Sequence, residues 1–343
     1  AELLAAGYTH VCEFHYVHNA PDGRPYAQPA EMALALVRAA QRTGIGLTLL
    51  PTLYMRAGFG AVGLRGDQRR FASTPDSVLR IAEAVRDAGG DPLRMTAGVA
   101  LHSLRAVEEG ALAETAAAAR GRMPVHIHVS EQRQEVEDCL QRHGQTPVDR
   151  LLAHAPVDDR WNLVHATQAS AGELASLRAS GAAIVLCPST EANLGDGVFD
   201  LPSWLGASGR WCVGSDSHVT RSWQEELRLL EYSQRLVLRS RNVAAAAGVA
   251  ESTAGVLFQG ALEGGSAAAG LPLAGLAVGQ RADFLVVDQH SAALLGIPHD
   301  HLLDAVVFSS PQARFSQVWV AGCLAQPAGT APAFEQAMRE LWA

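Results

Sequence analysis

The chain has 343 residues, 48% of them hydrophobic, with 35 acidic against 27 basic side chains and a formal charge of −8 at pH 7. That length accommodates one large domain and a smaller appendage. The acidic balance and the lack of a basic cluster count against nucleic acid as a partner, and no uninterrupted apolar stretch is long enough to span a bilayer. All 27 basic residues are arginine. Chemistry that needs a lysine is therefore excluded: Schiff bases, pyridoxal phosphate attachment, P-loop phosphate binding and metal sites bridged by a carboxylated lysine. The five cysteines, Cys12, Cys139, Cys187, Cys212 and Cys323, are odd in number and have no CxxC spacing. A reduced compartment, and hence a cytoplasmic location, is the expectation.

The opening "AELLAAG" reads as the last turns of a helix closed by a C-terminal glycine. So short a segment makes a poor independent helix, and the expectation is that a first strand and most of a first helix precede residue 1. "GYTHVCEFHY" predicts a strand, followed by a helix over about Pro29–Thr43. "GIGLTLLPTLY" is the next strand, followed by a Gly- and Arg-rich loop and a helix near Asp76–Ala88. "LRMTAGVALHS" predicts a strand and 106–120 an Ala-rich helix. "RMPVHIHVS" predicts a strand, with helices between about 131 and 153. "RWNLVHAT" precedes the helix "SAGELASLRAS". "AAIVLCPST" precedes a polar, Gly-containing stretch, "CPSTEANLGDGVF", read either as a turn with N-cap residues or as a substrate-facing loop, and then a short helix near Pro202–Leu205. "GRWCVGSDS" is the last strand of the series, before long helices to about 261.

Seven strand–helix units in succession predict a parallel sheet with helices outside. The absence of a dinucleotide-type glycine fingerprint favours a barrel over a doubly wound sheet. The fold expected is α/β, a TIM-like (β/α)8 barrel whose first strand is missing from this chain, over residues 1–262. After Leu262 the character changes. "LAVGQRADFLVVDQ" and "FSQVWVAGCLA" are strand-like, and "PAFEQAMRELW" is a closing helix, so 263–343 is expected to be a small β-sandwich-like segment.

Barrel enzymes place their chemistry at the C-terminal ends of the strands. Those ends carry Glu13, His15 and Tyr16; Tyr54; His102 and Arg105; His126, His128 and Glu131; His165; Thr190 and Glu191; Asp216 and His218. Alternation along a strand puts His126 and His128 on one face. A strand-end histidine can be hydrogen-bonded scaffolding, but with Glu131 just beyond, His128 is the stronger candidate for a metal. Glu131 is placed to act as a general base on water, or is a first-turn helix residue favoured by the macrodipole. His165 is either a buried structural residue or a catalytic one. Asp216 directly follows a buried strand, where a carboxylate needs a cationic partner; His218 caps the following turn or joins the site. Arg105 is a solvated helix residue or a carboxylate clamp, with His102 and Tyr16 able to add hydrogen bonds to the same anion.

Taken in order, "HIHVSEQ", "LVHAT", "CPSTEANLGDG" and "GSDSH" resemble the deaminase branch of the amidohydrolase superfamily, and "VGQRADFLVVD" with "VWVAGC" resembles its C-terminal β-strands. "GYTHVCEFHYVHN", "GIGLTLLPTLY", "LHSLRAV" and "EELRLLEYSQRL" resemble the formimidoylglutamate deiminases, also called N-formimino-L-glutamate iminohydrolases, over essentially the whole chain. The resemblance implies one zinc ion per subunit, with His128 and Asp216 as ligands, Glu131 as proton shuttle and His165 polarising the attacked group. It implies that Tyr16, His102 and Arg105 hold the glutamate part of the substrate. The implied reaction, in histidine degradation, converts N-formimino-L-glutamate to N-formyl-L-glutamate and ammonia. The family's His-x-His pair on the first strand has no counterpart here. Two zinc ligands are therefore expected upstream of residue 1, and this chain alone is expected to bind zinc weakly and to be inactive. Gln168 stands where another histidine is expected, and "LYMRAGFG" departs from the family after Tyr54. By analogy a homodimer is possible, with no membrane or nucleic-acid partner. The alternatives are a related deaminase or chlorohydrolase acting on a heterocyclic ring, and a non-catalytic barrel that holds an acidic ligand.

Overall fold

The computed structural model describes residues 1–61, 63–245, 250–325 and 331–342. In chain order the strands are β1 (His10–His15), β2 (Gly46–Leu53), β3 (Met95–Ala97), β4 (Val99–Ser103), β5 (Val125–Val129), β6 (Trp161–His165), β7 (Ala183–Leu186), β8 (Trp211–Val213), β9 (Phe284–Val287), β10 (Phe315–Val320) and β11 (Cys323–Leu324). The helices are α1 (Glu2–Ala5), α2 (Glu31–Thr43), α3 (Pro75–Gly89), α4 (Glu109–Ala119), α5 (Arg133–His143), α6 (Pro147–His154), α7 (Ala171–Ser180), α8 (Pro188–Leu194), α9 (Leu201–Gly206), α10 (Trp223–Leu238), α11 (Thr253–Ala269), α12 (Leu302–Asp304) and α13 (Ala331–Trp342). None of the described helices is long and apolar enough to cross a membrane.

The first eight strands form one curled parallel sheet in the order β1-β2-β4-β5-β6-β7-β8, with β3 also paired to β2. β3 and β4 are one stave of the TIM-like sheet, broken at Gly98. The chain passes so close to Pro124 there that a Cβ would sit 2.7 Å from the Pro124 carbonyl oxygen. The central staves are buried on both faces, which is why they read as near-continuous apolar runs; all eight residues of β2 are buried, whereas the edge stave β1 is only partly buried. Among the described residues β1 pairs with β2 alone and β8 with β7 alone. Between these two edges lies a cavity of about 1380 Å³, lined by Val11 and Glu13 on one side, Val213 and Gly214 on the other, and His128 and His165 across the sheet.

Local signals account for most helix ends. Ser170 and Glu173 form a capping box at α7, Thr146, Ser222 and Ser252 cap α6, α10 and α11, and left-handed glycines close α2, α5 and α7.

Three features differ from the sequence reading. "CPSTEANLGDGVF" opens with a helix, α8, which has Pro188 at its first turn and Gly195 as its left-handed cap. Proline favours a helix start as much as a turn. The residue-262 boundary falls inside α11, which continues to Ala269 and packs on β8. The C-terminal strands form a single antiparallel sheet, β11-β10-β9. That sheet presses against the chain start at Gly7, whose φ is +94° and where a Cβ would meet Phe315 and Leu285. Helix α13 occupies the predicted closing segment, but none of its residues is buried.

Candidate active site

The site is built where the staves end. His126 and His128 face the same interior but reach different levels. His126 lies deeper; its Nε2 donates to the Ala268 carbonyl at the end of α11, 2.9 Å away, and burial pushes its pKa down to about 4. It is scaffolding. His128 is nearer the rim and its Nδ1 donates to the His102 carbonyl at 2.7 Å. That bond fixes the ring and leaves Nε2 bare. Burial and the neighbouring His165 ring lower its pKa, against the raising effect of Asp216.

Five residues at these ends have positive φ: Ser130 (49°), His165 (74°), Ala166 (51°), Asp216 (39°) and His218 (55°). Such backbone is costly for non-glycine residues and persists where the surroundings over-determine it. Of these five, Ser130, His165 and Ala166 are buried, while Asp216 and His218 lie on the exposed turn after β8. His165 is completely buried. Its Nδ1 donates to Glu191 Oε1 at 3.2 Å, while its buried Nε2 has no hydrogen-bond partner. That nitrogen lies 3.8 Å from Glu131 Oε1 and 3.9 Å from Asp216 Oδ2. Burial alone would lower the His165 pKa; the hydrogen bond to Glu191 and the charges of Glu131, Glu191 and Asp216 reverse the sign, so it is raised.

Arg105 is half-enclosed at the mouth. The structure places it not as a free clamp but as a partner of Glu131, with Nη2 to Oε2 at 3.1 Å and Nη1 reaching Gln132 Oε1 at 3.5 Å. Its backbone turn is pinned by Arg56, whose guanidinium donates to the carbonyls of Leu104 (2.9 Å), Arg105 (3.2 Å) and Val107 (3.0 Å). The Glu131 amide donates to buried Glu135 at 2.9 Å. Gln168 donates to the carbonyls of Glu131 and Asp196, so it ties the Glu131 backbone to the loop after α8. Beside Arg105, Tyr16, Tyr54, Phe71 and His102 form an aromatic wall, with the Tyr54 and His102 ring centres 4.4 Å apart and those of Tyr16 and His102 5.6 Å apart. Burial lowers the pKa of His102, helped by His128 and Arg105.

Sequence position alone gave no role to several of these groups. Glu191 and Tyr54 stand at strand ends, but their partners do not follow from spacing. Asp196, in "LGDG", is buried with Oδ2 unpartnered, and burial followed by the Glu131 charge raises its pKa. His218 is exposed on the turn after Asp216, and its main-chain carbonyl accepts from Arg221. Thr190 bonds Ser217 at 3.0 Å and so ties α8 to the Asp216 turn.

The donor chemistry suits a divalent cation at two points: the bare Nε2 of His128 and the Asp216 carboxylate. Among the described residues no group of three or more His, Cys, Asp or Glu converges as a ligand set. Two donors are fewer than the three protein ligands usual for a catalytic zinc site.

Comparison with known proteins agrees with this architecture. The Amidohydrolase family matches residues 1–325. The formimidoylglutamate deiminase of Pseudomonas aeruginosa is 46% identical over 324 residues, which is 94% of this chain and 70% of that protein. A 5-methylthioadenosine/S-adenosylhomocysteine deaminase from Halobacterium salinarum is 28% identical over 296 residues, 80% of this chain and 67% of that protein. Among solved structures, an amidohydrolase from Brucella melitensis superposes with a TM-score of 0.93 at 42% identity, covering 100% of this chain and 77% of that one. A zinc-bound adenosine deaminase from Xanthomonas campestris, at 22% identity and a TM-score of 0.80 over 98% of this chain and 72% of that one, shares the fold.

Proposed function

The chain belongs to the amidohydrolase family, and from that premise we propose that its site is built for the deimination of N-formimino-L-glutamate to N-formyl-L-glutamate and ammonia, a step of histidine degradation. The observation that carries the reading is the polarity of the pocket. Glu131, Glu191, Asp196 and Asp216 are grouped around His165, with Arg105 and an aromatic wall at the mouth. An amidine is protonated at neutral pH, and the substrate's other end carries two carboxylates. A pocket with acids inside and a guanidinium outside matches that dipole. The 46% identity to the Pseudomonas aeruginosa deiminase supports the same substrate class.

In this reading His128 and Asp216 would hold a zinc ion, which when bound supplies the Lewis acidity that hydrolysis at neutral pH requires. Arg105 receives a substrate carboxylate, with Tyr16 and His102 beside it. Glu131 takes a proton from the attacking water as the new C–O bond forms at the amidine carbon, and delivers it to the terminal nitrogen. The C–N bond then breaks with ammonia as leaving group while the remaining hydroxyl proton passes to Glu131, now free to accept it, and the carbon becomes the formyl amide. His165, held by Glu191, presents Nε2 to the reacting group. Gln168 positions the Glu131 backbone.

The competing substrates are heterocyclic rings. Titration calorimetry of the 343-residue chain with N-formyl-L-glutamate, guanine and cytosine tests the reading without depending on turnover. Binding of the formyl amino acid, weakened roughly tenfold or more by Arg105→Gln, is expected. Preference for a ring would overturn it.

A further inference from the structure

Arg105 and Glu131 hold each other, although the proposed function gives each a different partner. Glu131 needs an oxygen turned toward water, and Arg105 needs its donors turned toward a substrate carboxylate. Glu131 Oε2 lies 3.1 Å from Arg105 Nη2, and the two side chains are only 12% and 26% exposed. The backbones on both sides are fixed. Three carbonyls around Arg105 are bound by Arg56, and the Glu131 amide is bound by Glu135. Only the two charged heads are free to exchange partners.

We propose that Arg105 is a shared partner that couples substrate entry to release of the base: an incoming carboxylate displaces Glu131 from the guanidinium, and Glu131 then turns to the reacting water. This rests on the reading of Arg105 as the substrate's anion clamp. Two carboxylates at one guanidinium repel each other, so the arriving anion and Glu131 compete. An amidine without a carboxylate tail leaves Glu131 where it is, so the site selects acidic substrates by activation as well as by binding. The polar contacts of the Arg105 head with Glu131 and Gln132 are those exchanged; its link to the protein through Arg56 is not.

Glutarate tests this, because it carries two carboxylates but no amidine and so binds without reacting. Its affinity is measured by calorimetry for the 343-residue chain, E131Q, R105Q and the double variant. The expectation is that E131Q binds glutarate about 3- to 5-fold tighter, the size of a partly exposed ion pair. R105Q should bind roughly tenfold or more weaker, and E131Q should give no gain in the R105Q background. Unchanged or weaker binding by E131Q overturns the exchange while leaving the clamp intact. A gain that persists without Arg105 overturns it too, since that would be a general field effect. If R105Q binds as the parent does, or the parent does not bind, the clamp itself falls and the exchange with it. A second readout needs no loss of the carboxylate: the Glu131 carboxyl ¹³C signal, assigned by its displacement in E131D, must move on saturation with glutarate, and a fixed signal refutes the exchange.

Discussion

Glu191 and His165 form an enclosed pair in which one carboxylate oxygen, Oε1, accepts from the imidazole Nδ1 at 3.2 Å and from the Cys187 amide at 2.9 Å. The second bond locks the carboxylate to the start of α8, so the ring is positioned by main chain at one remove. Nδ1 must therefore carry a proton, and Nε2 faces Glu131 and Asp216. Long-range ¹H–¹⁵N correlation of the imidazoles should show His165 protonated at Nδ1 in the parent chain. Glu191→Ala should abolish that preference and lower stability by about 1–3 kcal/mol, because a buried N–H loses its acceptor, while Glu191→Gln keeps an acceptor and stays near the parent. A bare Nδ1 in the parent chain would contradict the assignment.

The seven staves were legible because each is an apolar run punctuated by Gly, Pro or a polar cluster, and their ends were legible because barrel chemistry gathers there. The partnerships were not. Period-two alternation put His126 and His128 on one face, yet could not say that His126 stops at the Ala268 carbonyl while His128 reaches the rim. Glu191 is held by the helix that Pro188 opens, whereas "CPSTEANLGDGVF" reads in sequence as a turn or a substrate-facing loop. Arg105 and Glu131 are 26 residues apart; their pairing depends on how β4 and β5 are staggered, a register set by the sheet and not by either local motif.

Metal content follows from counting donors. In the proposed reading His128 and Asp216 would offer two, and catalytic zinc sites take three protein ligands. The 343-residue chain, dialysed against metal-free buffer after zinc loading, should retain well under one zinc per chain and show little ammonia release from N-formimino-L-glutamate. Near-stoichiometric zinc with vigorous turnover would show that donors outside the His128–Asp216 pair complete the shell.

Glu226 gives stability a pH dependence. It is fully buried on α10 and accepts from the Ser189 amide at 2.9 Å and the Ser189 hydroxyl at 2.6 Å. Burial raises its pKa to about 7, against the lowering effect of the Ser189 bonds. The folded state thus keeps a proton that the unfolded chain loses near the ordinary carboxyl pKa, about 4.5. The contribution is fully present below pH 4.5, falls as pH rises, and is exhausted above about pH 7, a span on the order of 3 kcal/mol. Urea unfolding at pH 5 and 7.5 should show a smaller loss of stability with rising pH in Glu226→Gln than in the parent. Equal losses would mean that Glu226 ionises as easily folded as unfolded.

The floor of the site depends on a helix lying unusually close to a strand. Gly264 of α11 rests against the β8 backbone, where a Cβ would overlap the Trp211 carbonyl, and Gly260, one turn earlier, accommodates the Trp211 ring. This approach brings the last carbonyls of α11 to the barrel interior, where Ala268 accepts from His126 at 2.9 Å and Ala269 from Thr48 at 3.0 Å. Gly264→Ala cannot be absorbed by a side-chain rotation, since the clash is with main chain; α11 must move outward and both capping bonds are strained with it. The expected cost is about 2–3 kcal/mol, at the upper end for overpacking. Gly265→Ala is the control. Nothing lies within 4 Å of a Cβ there, so the better helix propensity of alanine should stabilise by up to about 1 kcal/mol. Thermal unfolding of the two variants should therefore shift in opposite directions, although they differ by one position on the same helix. Parallel shifts would mean that α11 does not depend on close contact with β8, and His126 would then lose its explanation as the residue that caps α11 from within.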